Sequence, residues 1–132
     1  MIRKFSIILM MAMAVTACHR VQPVYNVEGD AIPAAAQQKL SSEQVGKIIR
    51  KAALAKGWLV KEAKPGLLHC TLEWRGHTAE IDIAYSREDY SIELDSSENL
   101  KESNGNIHYK YNKRVQELQA EIDRRLSRAV YK

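Results

Sequence analysis

Apolar residues change their spacing along this chain, and each change predicts a different element. After Ser41, the residues Val45, Ile48, Ile49, Ala52 and Ala55 recur at steps of three and four until Gly57. Ser41 and Gln44 have capping-box spacing, so an amphipathic helix is expected between Ser41 and Gly57, with Lys47, Arg50, Lys51 and Lys56 on its outer side. From Trp58 the period falls to two. Trp58 to Glu62 predicts a strand, Lys64-Pro65-Gly66 a turn, and Leu68, Cys70, Leu72 and Trp74 the apolar face of a second strand. Arg75-Gly76 turns the chain into a third strand with Ala79, Ile81, Ile83 and Tyr85 on that face, and a fourth follows with Tyr90, Ile92 and Leu94. Beyond a polar loop from Ser96 to Asn106, the stripe Ile107, Tyr111, Val115, Leu118, Ile122 and Leu126 predicts a long helix with Asn106 as its cap. The expected fold is an α+β two-layer domain over residues 41–132: a helix, a four-stranded antiparallel meander and a long C-terminal helix, both helices packed on one sheet face.

Alternation also defines the opposite face. Glu73, Glu80, Asp82, Glu93 and Asp95 fall together there, with His69, Thr71, Thr78 and Ser91. Register follows from charge. A two-residue turn at Arg75-Gly76 sets Glu73 against Thr78, Thr71 against Glu80 and His69 against Asp82, whereas a longer loop would oppose Glu73 and Glu80, and like charges in direct opposition are destabilising. The tighter hairpin with a His69–Asp82 neighbour pair is therefore expected. Such a face most often simply meets water; if it binds a cation, His69, Asp82 and Glu80 are the ligand candidates.

The first forty residues follow neither period. Arg3 and Lys4 precede an uncharged stretch from Phe5 to Val15 that is too short to span a bilayer, so an export signal covering residues 1–17 is expected. It closes on Val15-Thr16-Ala17-Cys18, which resembles the lipobox of bacterial lipoproteins and implies lipidation of Cys18 with acyl chains such as palmitate. Cleavage after Ala17 without lipidation is the rival. In Gram-negative lipoproteins an Asp after the cysteine favours inner-membrane retention. His19 stands here, which implies the periplasmic face of the outer membrane, with the inner membrane as alternative. Residues 18–40, with Pro23, Gly29 and an Ile32-Pro33-Ala34-Ala35-Ala36 stretch, are expected to be a lipidated start and flexible linker with a reach of about 25 Å.

Composition narrows the function classes. Half of the formal +4 charge of the 132 residues belongs to the leader, and no nucleic-acid motif appears, so nucleic acid is not an expected partner. With Cys18 lipidated, Cys70 has no disulfide partner, and its place on an apolar face predicts an inert buried thiol. His19, His69, His77 and His108 show no metal-ligand spacing, and no nucleophile elbow, phosphate loop or dinucleotide fingerprint is present; no cofactor and no catalytic residue are implied. Asn99, His108 and Asn112 are expected to converge where the loop meets the long helix, as a polar cluster fixing the loop or as a binding site.

Tyr90-Ser91-Ile92, Ser97-Glu98-Asn99-Leu100 and Ile107-His108-x-x-Tyr111-Asn112-x-x-Val115-x-x-Leu118, with the lipobox and Gly57-Trp58, resemble a group of small proteobacterial lipoproteins. An aromatic residue is commoner in that pattern where Val115 stands. The resemblance implies a place in the cell envelope and adds no activity. Together these observations point to a tethered interaction or accessory domain that contacts an envelope protein, peptidoglycan or lipid phosphates. The alternative is a small periplasmic metal-binding protein or hydrolase using the carboxylate-rich face.

Overall fold

The computed structural model describes residues 20–131; Cys18 and the leader lie outside the described residues. Helix α2 (Ser42–Ala55) begins where the capping box places it. Ser41 Oγ accepts from the Gln44 amide at 3.2 Å, and Gln44 Oε1 accepts from the Ser41 amide at 2.8 Å. Val45, Ile49, Ala52 and Ala53 are buried, and Gly57, at φ +89°, ends the helix in a conformation that other residues adopt at a cost.

Strands β3 (Leu59–Lys64), β4 (Leu67–Trp74), β5 (His77–Tyr85) and β6 (Asp89–Glu98) form the expected antiparallel meander. The charge argument for register holds: Glu73 opposes Thr78, Thr71 opposes Glu80 and His69 opposes Asp82. Leu68, Cys70, Leu72, Ala79, Ile81, Ile83, Tyr90 and Ile92 are buried on one face. Helix α3 (Tyr109–Ala129) adds Tyr111, Val115, Leu118, Ile122 and Leu126, all fully buried. The result is the α+β two-layer domain. On α3, Glu121 is buried and bonded to Arg125 at 2.7 Å and to Arg124. A buried carboxylate persists only when paired in this way.

The flexible linker is corrected by the structure. Strand β1 (Val21–Pro23) pairs antiparallel with β7 (Asn106–His108), and β2 (Val27–Ala31) joins the sheet beside β6, giving five strands in the order β2-β6-β5-β4-β3. Helix α1 (Ala34–Lys39) follows and leads into α2. These pieces lack a period because they are short and irregular. Strand β2 bulges between Val27 and Asp30 around Gly29 at φ +59°, so its two anchors, Val27 and Ile32, do not alternate. Their burial nevertheless closes the edge of β6 that a four-stranded meander would leave open. The domain therefore starts by Arg20, not at residue 41.

Pairing of β7 with β1 also moves the start of α3. Its N-cap is His108, whose Nδ1 accepts from the Lys110 amide at 3.2 Å, while Asn106 and Ile107 belong to the strand. Strand β6 likewise runs further than expected, taking Ser96 to Glu98 from the predicted loop.

Candidate functional sites

The carboxylate-rich sheet face assembles around one imidazole. His69 Nδ1 lies 2.9 Å from Asp82 Oδ1, directly across the β4–β5 ladder. Asp95 completes the group through a bulge: Ser96 opposes Glu80 and Leu94 opposes Ile81, leaving Asp95 as the extra residue of β6. One ligand atom from each of His69, Asp82 and Asp95 falls within 4.8 Å of the others. Glu80, the third expected ligand, is displaced from that group. Its Oε1 is 3.7 Å from the other ring nitrogen, and its Oε2 accepts from Ser96 Oγ at 2.5 Å. The hydrogen bond to Asp82 raises the His69 pKa above its ordinary value against the cost of burial, with the charges of Asp82, Glu80 and Asp95 adding to it. The carboxylates thus favour a proton on His69, and a divalent cation at that ring nitrogen would compete with it. On the other side of the sheet, burial pushes the Cys70 thiol up to about 12, which leaves it protonated and inert.

The structure does not gather Asn99, His108 and Asn112 into one site. Asn99, at φ +57°, donates from Nδ2 to the Gly76 carbonyl at 3.2 Å, and its own carbonyl lies 2.6 Å from His77 Nδ1, so it locks the loop to the β4–β5 turn. Asn112 serves the N-terminal segment instead. It is buried, accepts from the Tyr25 amide at 2.9 Å and donates to the Pro23 carbonyl at 2.9 Å. Between them His108 donates its amide to Leu100 and stacks on Tyr109, with ring centroids 4.7 Å apart. His77 continues the stack, 6.2 Å from His108 and 5.3 Å from Trp74. Burial lowers the His108 pKa, and nearby Lys110, His77, Lys101 and Arg20 lower it further. That corner of the molecule is electropositive.

A second polar cluster has no counterpart in the sequence-based expectations. The fully buried Tyr90 extends its hydroxyl to within 2.8 Å of Asp30 Oδ2 and 2.6 Å of Asp123 Oδ1. Gln119 Nε2 donates to Asp30 at 3.1 Å, and the Tyr25 hydroxyl donates to Gln119 Oε1 at 2.5 Å. Burial and the adjoining Asp30 raise the Asp123 pKa to about 6 despite its bond to Tyr90. Burial opposes ionisation of Asp30 too, but donation from Gln119, Tyr90 and Asp123 outweighs it and holds Asp30 below the ordinary range. The pair therefore shares one proton in mildly acidic solution. The signal was present in the sequence: Tyr90 sits on an apolar strand face, where its hydroxyl needs a partner, and Gln119 and Asp123 lie one turn apart beside the helix stripe.

Compared with protein-family models, curated proteins and solved structures, the chain matches none.

Proposed function

We propose that this chain is a bacterial cell-envelope lipoprotein whose body is a non-enzymatic interaction or accessory domain, held beside the bilayer by acyl chains on Cys18. The lipobox and the resemblance to small proteobacterial lipoproteins support the anchor, and His19 after the cysteine favours the periplasmic face of the outer membrane over the inner one. One structural observation carries the functional part. The Arg20 carbonyl accepts from the Tyr109 amide at 2.8 Å, so the folded body begins two residues after the proposed lipid. Two residues reach about 7 Å at most. A body held so closely keeps a narrow range of distances and orientations to the membrane, which raises the effective concentration for partners there.

Cys18→Ser in the native host tests this reading. Loss of the protein from the membrane fraction, with diacylated and N-acylated Cys18 found by mass spectrometry of the wild-type amino terminus, is the expected result. An unmodified amino terminus together with unchanged fractionation of the variant would overturn it.

The convergence of His69, Asp82 and Asp95 favours a second reading, a small metal-binding protein. Titration with Zn²⁺ or Ca²⁺ separates the two. Binding heat that His69→Ala abolishes supports the metal reading, and no heat with an unchanged melting temperature removes it.

A further inference from the structure

Where β4 ends and α3 begins, a cleft of about 230 Å³ is lined by Trp74, Arg75, Tyr109, Lys110, Lys113 and Arg114, with Glu117 as its one acidic group. Four cations against one carboxylate leave the cleft strongly positive, and Glu117 stands 3.9 Å from Arg114, so it offsets only part of one of them. Arg114 also lies over the Trp74 ring, 5.4 Å from its centroid, which holds both groups in place. The N-terminal end of α3, where Tyr109 and Lys110 lie, also adds the partial positive charge of a helix start. Tyr109 is exposed and Trp74 half-buried, so two amphipathic aromatic rings stand among the cations.

We infer that this corner docks the domain on the phosphate headgroups of an anionic bilayer. The inference rests on the proposed anchor and specifies the partner and the surface. Three observations favour a bilayer over a soluble phosphate compound. The amide of Tyr109, on the rim, donates to the Arg20 carbonyl, so an anchor at Cys18, two residues earlier, would hold the cleft close to the lipid. Tyr and Trp are the side chains that settle at the headgroup level, and here they flank Lys and Arg. The charge distribution is also polar: Glu73, Glu93 and Asp95 lie on the sheet face turned away from α3, so an anionic surface attracts one side of the molecule and repels the other.

Each basic residue near an anionic surface raises the docking equilibrium about fivefold, so replacing two lowers it roughly thirtyfold. Arg75 and Lys113 are exposed, and among the described residues neither side chain makes a hydrogen bond or ion pair, which makes Arg75→Gln/Lys113→Gln the suitable variant. The processed full chain, with its native amino terminus, is reconstituted into phosphatidylcholine vesicles with or without one-quarter phosphatidylglycerol. Quenching of tryptophan emission by brominated acyl chains is then measured. Trp58 is buried in the core, so the change reports Trp74.

Stronger quenching with phosphatidylglycerol, removed by high salt and by the double variant, is expected. Equal quenching in both vesicles, or in wild type and variant, overturns the inference. So does a change produced by inorganic phosphate in phosphatidylcholine vesicles that phosphatidylglycerol does not produce, since the cleft would then take a soluble anion. If the amino terminus proves unmodified, the same chain is added from outside to preformed vesicles. Salt-sensitive binding to phosphatidylglycerol then upholds the docking surface while the anchor fails, and no binding removes both.

Discussion

Tyr90 brings a neutral hydroxyl between two carboxyl groups, and the protonation of those groups links stability to pH. The raised pKa of Asp123 means that the folded chain holds a proton there which the unfolded chain releases near pH 4. The stability from that site is full below about pH 4 and is lost as pH rises through about 6. Asp30, with its pKa lowered, works in the opposite sense: its contribution is present above about pH 4 and is lost as pH falls below that. The pair is therefore most stabilising between the two. Asp123→Asn keeps a donor toward Asp30 and an acceptor for Tyr90 at every pH. Its melting temperature relative to wild type is expected to rise from pH 5 through about pH 6 and to level off by about pH 7. The His69–Asp82 pair also loses stability with rising pH, but equally in both proteins, so a flat difference would refute the shared proton.

At the scale of elements, α2 and β5 approach through a missing side chain. A Cβ at Gly46 would lie 2.5 Å from the Tyr85 hydroxyl, so the ring of Tyr85 occupies the space that any other residue would need. Gly46→Ala gains about 1 kcal/mol of helix propensity and meets an overpacking cost of about 1–3 kcal/mol. It is expected to lower stability by about 1 kcal/mol in the wild type and to raise it by about 1 kcal/mol in a Tyr85→Ala background, as measured by urea unfolding of all four proteins. The same sign in both backgrounds would show that the ring simply swings aside. The sequence leaves this contact unannounced, because Gly46 interrupts no period and Tyr85 is only half-buried. What it did announce was regular structure of sufficient length: the capped α2, the stripe of α3, and the β4–β5 register set by opposing charges. A three-residue strand and a bulged five-residue strand carry too few alternations to be seen, and their partners are remote in sequence. The candidate sites divide the same way. His69 and Asp82 meet because adjacent strands fix them, whereas Glu80 gives way to Asp95 because a bulge has no hydrophobic signature.

Across the whole molecule, the N-terminal segment is fastened by residues near the other end of the chain. Asn112 holds Tyr25 and Pro23, Gln119 holds Tyr25 and Asp30, and Lys39 Nζ donates to the Val130 carbonyl at 2.5 Å. The bonds from Tyr25 span 87 and 94 positions in sequence. Contacts so distant carry a large closure entropy and form late. The beginning of the domain therefore cannot lock until α3 has been synthesised. Pulse labelling of amide hydrogens during refolding should show the Tyr25 amide gaining protection after those of β4 and β5, and simultaneous protection would contradict this order. Late fastening means that the N-terminal segment, the first part of the domain to be made, is the last to be secured.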